Sequence, residues 1–143
     1  MPLDNDVLAR HSSRLLGLLR IVTAYLYIQH GTAKFFGVPH VAAFDGLQLA
    51  SLAGAAGVLE LVGGALLLLG LFTRPAAFIL SGEMAFAYFI AHASQGMVLT
   101  PMLNDGELAV LYCFIFLYFA AAGGGAWSVD GWRRRGQSAG AAA

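Results

Sequence analysis

Five ionisable side chains, Arg20, His30, Lys34, Glu60 and Glu83, fall within or at the edges of long apolar runs. A histidine ordinarily titrates near neutral pH, Lys34 supplies positive charge and Glu60 accepts protons. Together His30, Lys34 and Glu60 have the chemistry to deliver protons to a reducible carbonyl, as quinone reduction requires. They are the candidate catalytic residues, and Tyr27, His30, Glu60 and His92 are the candidates for contact with a cofactor. Spacing sharpens the choice. Arg20, Thr23, Tyr27, His30 and Lys34 recur at three- and four-residue steps and share one helix face. Gly57, Glu60 and Gly64 share a second face, where small residues let another helix approach closely. Glu83, Ala87 and Ile90 share a third. At 3.6 residues per turn, His92 lies half a turn from Glu83, so the two are expected to serve different clusters.

Other candidate groups carry blander readings. A heme held by His30 and His92 lacks any attachment motif, and a histidine beside a tyrosine such as Tyr88 is more often structural. Glu107 follows Asn104-Asp105-Gly106 and reads as a helix-start acid, placed for capping and the helix dipole. The single cysteine, Cys113, leaves no internal disulfide and no Cys-x-x-Cys pair, and no metal site is expected. It reads as a buried apolar filler. The aromatic run Tyr112, Phe114, Phe116, Tyr118 and Phe119 reads mostly as packing and lipid contact.

The elements that position these residues follow from composition. Of 143 residues, 59% are apolar and 11% charged, against roughly 45–50% and 25% in soluble domains. Such a chain cannot cover its own surface with polar groups in water, whereas a lipid bilayer removes the need. The net charge of zero gives no case for nucleic acid, which calls for a concentrated basic face. A span needs about 20 mostly apolar residues, and four stretches approach this, near 15–36, 52–72, 76–93 and 107–122. They lack the alternation of a membrane β-barrel. Arg20 interrupts the first stretch, which is also too long for a signal-peptide core. The sequence therefore predicts an all-α integral membrane bundle of four helices, a single domain over residues 1–143.

Arg10 and Arg14 precede the first span, Arg74 lies between the second and third, and Arg133, Arg134 and Arg135 follow the fourth. The other side carries only Lys34. Positive loops stay in the cytoplasm, so both termini are expected inside. Residues 40–51 are too polar to cross, with Phe44 and Leu47 forming an amphipathic outer segment. Pro75 suits the start of span three, and Gly96, Pro101 and Asn104-Asp105-Gly106 break the second outer loop. Trp127 and Trp132 suit the headgroup zone, and the tail, about 134–143, is expected to be disordered.

Charges are costly in lipid and should turn inward to find partners. Counting a rise of about 1.5 Å per residue, His30 and Glu60 lie roughly 9–12 Å below the outer ends of their spans. Arg20 and Glu83 lie roughly 8–10 Å from the inner ends by the same count. Two clusters are thus expected: an outer one of His30, Lys34 and Glu60, open to function, and an inner Arg20–Glu83 ion pair that ties helices together.

At these residues the chain resembles the DoxX family of small bacterial membrane proteins. Arg20 is followed by His30-Gly31 and Lys34, then by Gly57, Glu60, Gly63-Gly64, Gly70-Leu71 and Thr73-Arg74-Pro75-Ala76. Met84, Ala87 and His92 come next, and Asn104-Asp105-Gly106-Glu107 is similar to the family's Asn-Gly-Gly-Glu, with Asp105 replacing the first Gly. Gly123-Gly124-Gly125 and Ser128-Val129-Asp130 are similar to its closing Gly-x-Gly and Ser-x-Asp. The order and spacing over roughly residues 14–132 carry the resemblance, not any one motif.

The resemblance implies a four-helix protein of the bacterial cytoplasmic membrane. The family name is shared with small subunits of a thiosulfate:quinone oxidoreductase. Other relatives look like partners in redox-stress complexes or accessory proteins of metal-related operons. No cysteine pair is present for a dithiol mechanism like that of the quinone-linked epoxide reductases. Two readings stand. One is an accessory, non-catalytic membrane subunit of a redox-related complex, acting with a protein partner or as a homo-oligomer. The other is a quinone-binding oxidoreductase subunit with its site at His30, Lys34 and Glu60. With no nicotinamide or flavin motif in the chain, an electron donor has to come from a partner.

Overall fold

A computed structural model describes residues 5–140, with side chains described from residue 11 onward except at 139. The described residues form five α-helices: α1 (Asn5–Phe36), α2 (Leu52–Leu69), α3 (Thr73–Ala87), α4 (Glu107–Ala122) and α5 (Val129–Gly140). A π-helical turn, Tyr88–His92, and a 3-10 turn, Ala93–Gln95, continue α3. Short 3-10 turns at Ala42–Phe44 and Pro101–Leu103 punctuate the two long loops. The chain is all-α, as its composition predicts. Two helical stretches, Leu52–Leu69 and Thr73–Gln95, are long and apolar enough to cross a membrane, and Glu107–Ala122 is apolar but shorter.

Local chemistry sets the boundaries. The Ser51 hydroxyl accepts the Gly54 N–H at 3.1 Å and starts α2, an ordinary N-cap. Gly70, at φ 66°, ends it in the left-handed conformation, which glycine adopts without a Cβ penalty. The turn is so tight that Phe72, at φ 49°, precedes α3 with no cap of its own. Asp130, far along the chain, supplies one by accepting the N–H groups of Phe72 and Thr73 at 3.0 and 2.8 Å.

α1 packs antiparallel on α2, α3 on α4, and α2 against α3. The α1–α2 contact depends on glycines: a Cβ on Gly31 would sit 2.7 Å from Leu61 Cγ and 3.0 Å from the Gly57 carbonyl oxygen. The core between the pairs holds Ala24, Tyr27, Leu67, Leu80, Met84 and Phe116 among others. The Tyr27 ring meets Phe116 edge-on at 4.8 Å and Tyr112 at 5.3 Å. Outside and inside are inverted relative to a water-soluble fold. Arg20 is 0% and Glu60 4% exposed, whereas Leu15, Phe78 and Phe114 are 66%, 66% and 65% exposed.

The tail departs from expectation. Instead of being disordered from about residue 134, it is helical through Gly140. The Ser128 hydroxyl accepts the Gly131 N–H at 3.1 Å, and the Asp130 N–H donates to the Gly70 carbonyl at 3.0 Å. A cap and a docking contact thus start α5 against the α2–α3 turn, which composition alone does not reveal. Residues 141–143 and the Arg10 side chain lie outside the described residues.

Candidate functional site

Arg20 occupies the end of the bundle that holds the α2–α3 turn and α5. It is fully buried, and its guanidinium donates to the carbonyls of Gly124 at 2.9 Å, Leu68 at 2.7 Å, Trp127 at 2.9 Å and also Leu67. Those of Leu67 and Leu68 belong to the last turn of α2, where unpaired carbonyls and the negative end of the helix dipole favour a cation. Asp130 sits at the opposite pole, on the N-terminus of α3. The two charges thus serve the two helix ends that meet at one turn. Partial burial works to raise the Asp130 carboxyl, but the N–H groups of Thr73 and Phe72 and the nearby Arg134 hold it below the ordinary carboxylate range. Arg74 repeats the scheme on α4, donating to the carbonyls of Ala120 and Ala121 at 3.2 and 2.5 Å.

The expected Arg20–Glu83 ion pair is therefore not formed. Glu83 accepts a 2.7 Å hydrogen bond from the Tyr27 hydroxyl instead. Counting rise along each helix placed the two charges at similar heights, but backbone carbonyls at the α2 terminus satisfy the guanidinium first.

Toward the other end, Lys34 and Glu60 form the expected pair, with Nζ 2.5 Å from Oε1 and both side chains at most 10% exposed. The Phe44 ring lies 5.4 Å from the ammonium, within cation–π range, so the loop between α1 and α2 folds over the pair. His30 lies 6.3 Å from the rings of both Tyr27 and Tyr112. Below this loop the four helices converge on a cavity of about 310 Å³. Tyr27 and His30 enter it from α1, Glu60 from α2 and Met84 from α3. His92, Asp105 and Tyr112 complete its polar lining.

The cavity brings together all four residues expected to contact a cofactor, Tyr27, His30, Glu60 and His92. Glu83 is not among the residues that line it, although its partner Tyr27 is. His92 reaches the cavity from the end of the π turn Tyr88–His92. His92 Nδ1–H donates to the Asn104 carbonyl at 2.9 Å, and the Asn104 side chain accepts the Gly106 N–H at 3.0 Å ahead of α4.

Two carboxylate oxygens, Glu60 Oε2 and Glu83 Oε1, are buried without a partner. Buried acceptors are nearly always satisfied, so each is open to a further donor. The aromatic run of α4 divides between packing and outward contact: Tyr112, Phe116 and Phe119 are buried with Ala109, whereas Phe114 and Tyr118 are exposed. The three- and four-residue spacing of the buried four was the signal that this face of α4 turns inward. Glu107 is exposed in the first turn of α4. It borders a separate surface groove of about 660 Å³ lined otherwise by such residues as Pro101, Leu111 and Phe114, with no second titratable group. Among the described residues, no group of three or more His, Cys, Asp or Glu side chains is arranged to hold a metal ion.

The profile of the DoxX family matches residues 15–93, more than half of the chain. The chain belongs to the DoxX family. A relative from Haemophilus influenzae, described as an uncharacterized protein, is 50% identical over 125 residues, covering 86% of this chain and 93% of its own length. No solved structure matches the chain. The residues matched to the DoxX profile include His30, Lys34, Glu60, Glu83 and His92, the titratable groups that α1, α2 and the extended α3 bring to the cavity region. Asp105 and Tyr112 of this DoxX protein lie beyond the matched segment.

Proposed function

We infer that this DoxX protein crosses the bacterial cytoplasmic membrane four times with both termini inside, and that its outer-half cavity binds the headgroup of a quinone. It serves as the membrane subunit of a redox complex. The observation that carries this reading is the cavity itself. Its volume, about 310 Å³, is within the range of small-molecule sites, and one of its residues, Glu60, has a buried carboxylate oxygen without a donor. A purely structural ion pair is expected to be fully satisfied. The inverted surface supports the bilayer, and the clustering of Arg74 and Arg133 to Arg135 at one end supports the orientation.

Reduction of a quinone to a quinol takes up two electrons and two protons. The electrons come from a partner subunit, since the chain carries no nucleotide or flavin motif. His30 and Glu60 hold and pass protons at the carbonyl oxygens, and Lys34 fixes the Glu60 carboxylate. The accessory, non-catalytic reading draws support from the other end, where Arg20 and Arg74 use their charge only to close helix termini.

Purification in mild detergent followed by solvent extraction tests the choice. Bound quinone that is lost in Glu60→Gln and His30→Ala, with the fold retained, is the expected result. A wild-type preparation free of quinone, with a stoichiometric partner protein, favours the accessory reading.

A further inference from the structure

At the α5 end the surface carries two adjoining grooves of opposite character. The first, about 670 Å³, is polar and basic, bordered by Ser12, Ser13, Trp127, Arg134 and Arg135. The second, about 600 Å³, is apolar and runs along Leu15, Leu18, Leu19 and Val22. They share Ser12, Leu16 and Tyr118, so the basic groove opens directly into the apolar one. A backbone bond from the Ala126 N–H to the Ser13 carbonyl at 2.9 Å fixes the loop before α5 against α1. The arginines are therefore carried on an anchored segment.

We propose that these two grooves form one binding site for an anionic phospholipid of the cytoplasmic leaflet, with its headgroup phosphate at Arg134 and Arg135 and an acyl chain along Leu15–Val22. The placement rests on the four-span orientation inferred above but not on the quinone cavity. Guanidinium groups match phosphate oxygens in a planar, bidentate geometry. From Ser12 to Val22 the helix rises roughly 15 Å, about half the thickness of a bilayer core of about 30 Å, which is the depth of one leaflet. The Trp127 ring, 61% exposed, sits beside the headgroup position, where an amphipathic ring is favoured. An acidic protein segment would meet the same arginines but has no use for an adjoining apolar track on α1. Charge complementarity together with that continuity selects a lipid.

The test uses the full chain, delipidated in mild detergent and titrated with phosphatidylglycerol or phosphatidylcholine, with bound lipid read by native mass spectrometry. Phosphatidylglycerol is expected to bind in preference, and Arg134→Gln with Arg135→Gln to weaken it by roughly fivefold per arginine. Leu19→Trp, which fills the apolar groove, is expected to lower retention of both lipids while keeping the preference. Equal binding of the two lipids by the wild type, or a preference that survives the double substitution, overturns the proposal. Binding of a poly-glutamate peptide through the same arginines, without lipid preference, also overturns it. Carbonate extraction of wild-type membranes reports separately on the bilayer placement, and Glu60→Gln is expected to leave lipid preference unchanged.

Discussion

The Tyr27 hydroxyl donates to Glu83 Oε2 at 2.7 Å, joining α1 to α3 across the centre of the bundle. Tyr27 also stacks edge-on against α4 through Phe116, so one side chain links three helices. The partner of Glu83 is thus a neutral hydroxyl, and Arg20 is engaged elsewhere by four carbonyls. A double-mutant cycle in nanodiscs separates these contacts. Tyr27→Phe and Glu83→Gln are expected to couple by roughly 0.5–3 kcal/mol, while Arg20→Met and Glu83→Gln add to within about 0.5 kcal/mol. Strong coupling of the second pair contradicts the geometry described.

Arg20→Gln tests the closure of α2. Each buried carbonyl left without a donor costs about 1–3 kcal/mol, and the four acceptors lie in two chain segments that a shorter amide cannot span. Thermal unfolding is expected to fall well below that of wild type. Arg14→Gln, at an exposed site, is expected to change stability by no more than about 0.5 kcal/mol. Equal effects at the two positions contradict the role given to Arg20.

Much of the site was legible in the sequence, but unevenly. The three- and four-residue steps from Tyr27 to Lys34 place them on one inward face, and Lys34 and Glu60, expected in one outer cluster, form an ion pair. Depth counting failed for Arg20 because it weighs side-chain charges and ignores helix-terminal carbonyls, which are the nearer acceptors. The α5 helix escaped notice since its start depends on Ser128 and Asp130 meeting a turn some 58 residues away in sequence.

Asp130 gives the lock between α5 and the α2–α3 turn a pH dependence of known sign. Its folded carboxyl ionises below the ordinary value of 3.8, so the stabilisation is fully present above about pH 4 and is lost as pH falls through the folded value. Limited proteolysis within residues 129–140 is expected to rise on acidification in that window. Asp130→Asn is expected to show a raised, flat rate over the same range. A wild-type rate that does not change between pH 5 and the acid limit counts against the cap.

Gly31→Val tests the α1–α2 crossing. The added side chain meets Leu61 and the Gly57 carbonyl at sub-contact distance, and over-packing of this kind costs typically about 1–3 kcal/mol. Since Lys34 and Glu60 are held by the same crossing, splaying it is expected to expose Lys34 to amine-reactive labelling. Labelling equal to wild type indicates that the helices do not approach at Gly31.

A quinone site requires that the cavity between Tyr27, His30, Glu60 and Tyr112 admit a quinone headgroup. Photo-crosslinking with an azido-quinone in native membranes, followed by peptide mapping, measures this. The label is expected in the segments around His30 and around Leu108–Tyr112, displaced by excess unlabelled quinone and diminished in Glu60→Gln. Labelling confined to the lipid-facing residues, or unaffected by competitor and by Glu60→Gln, contradicts a quinone site in this protein.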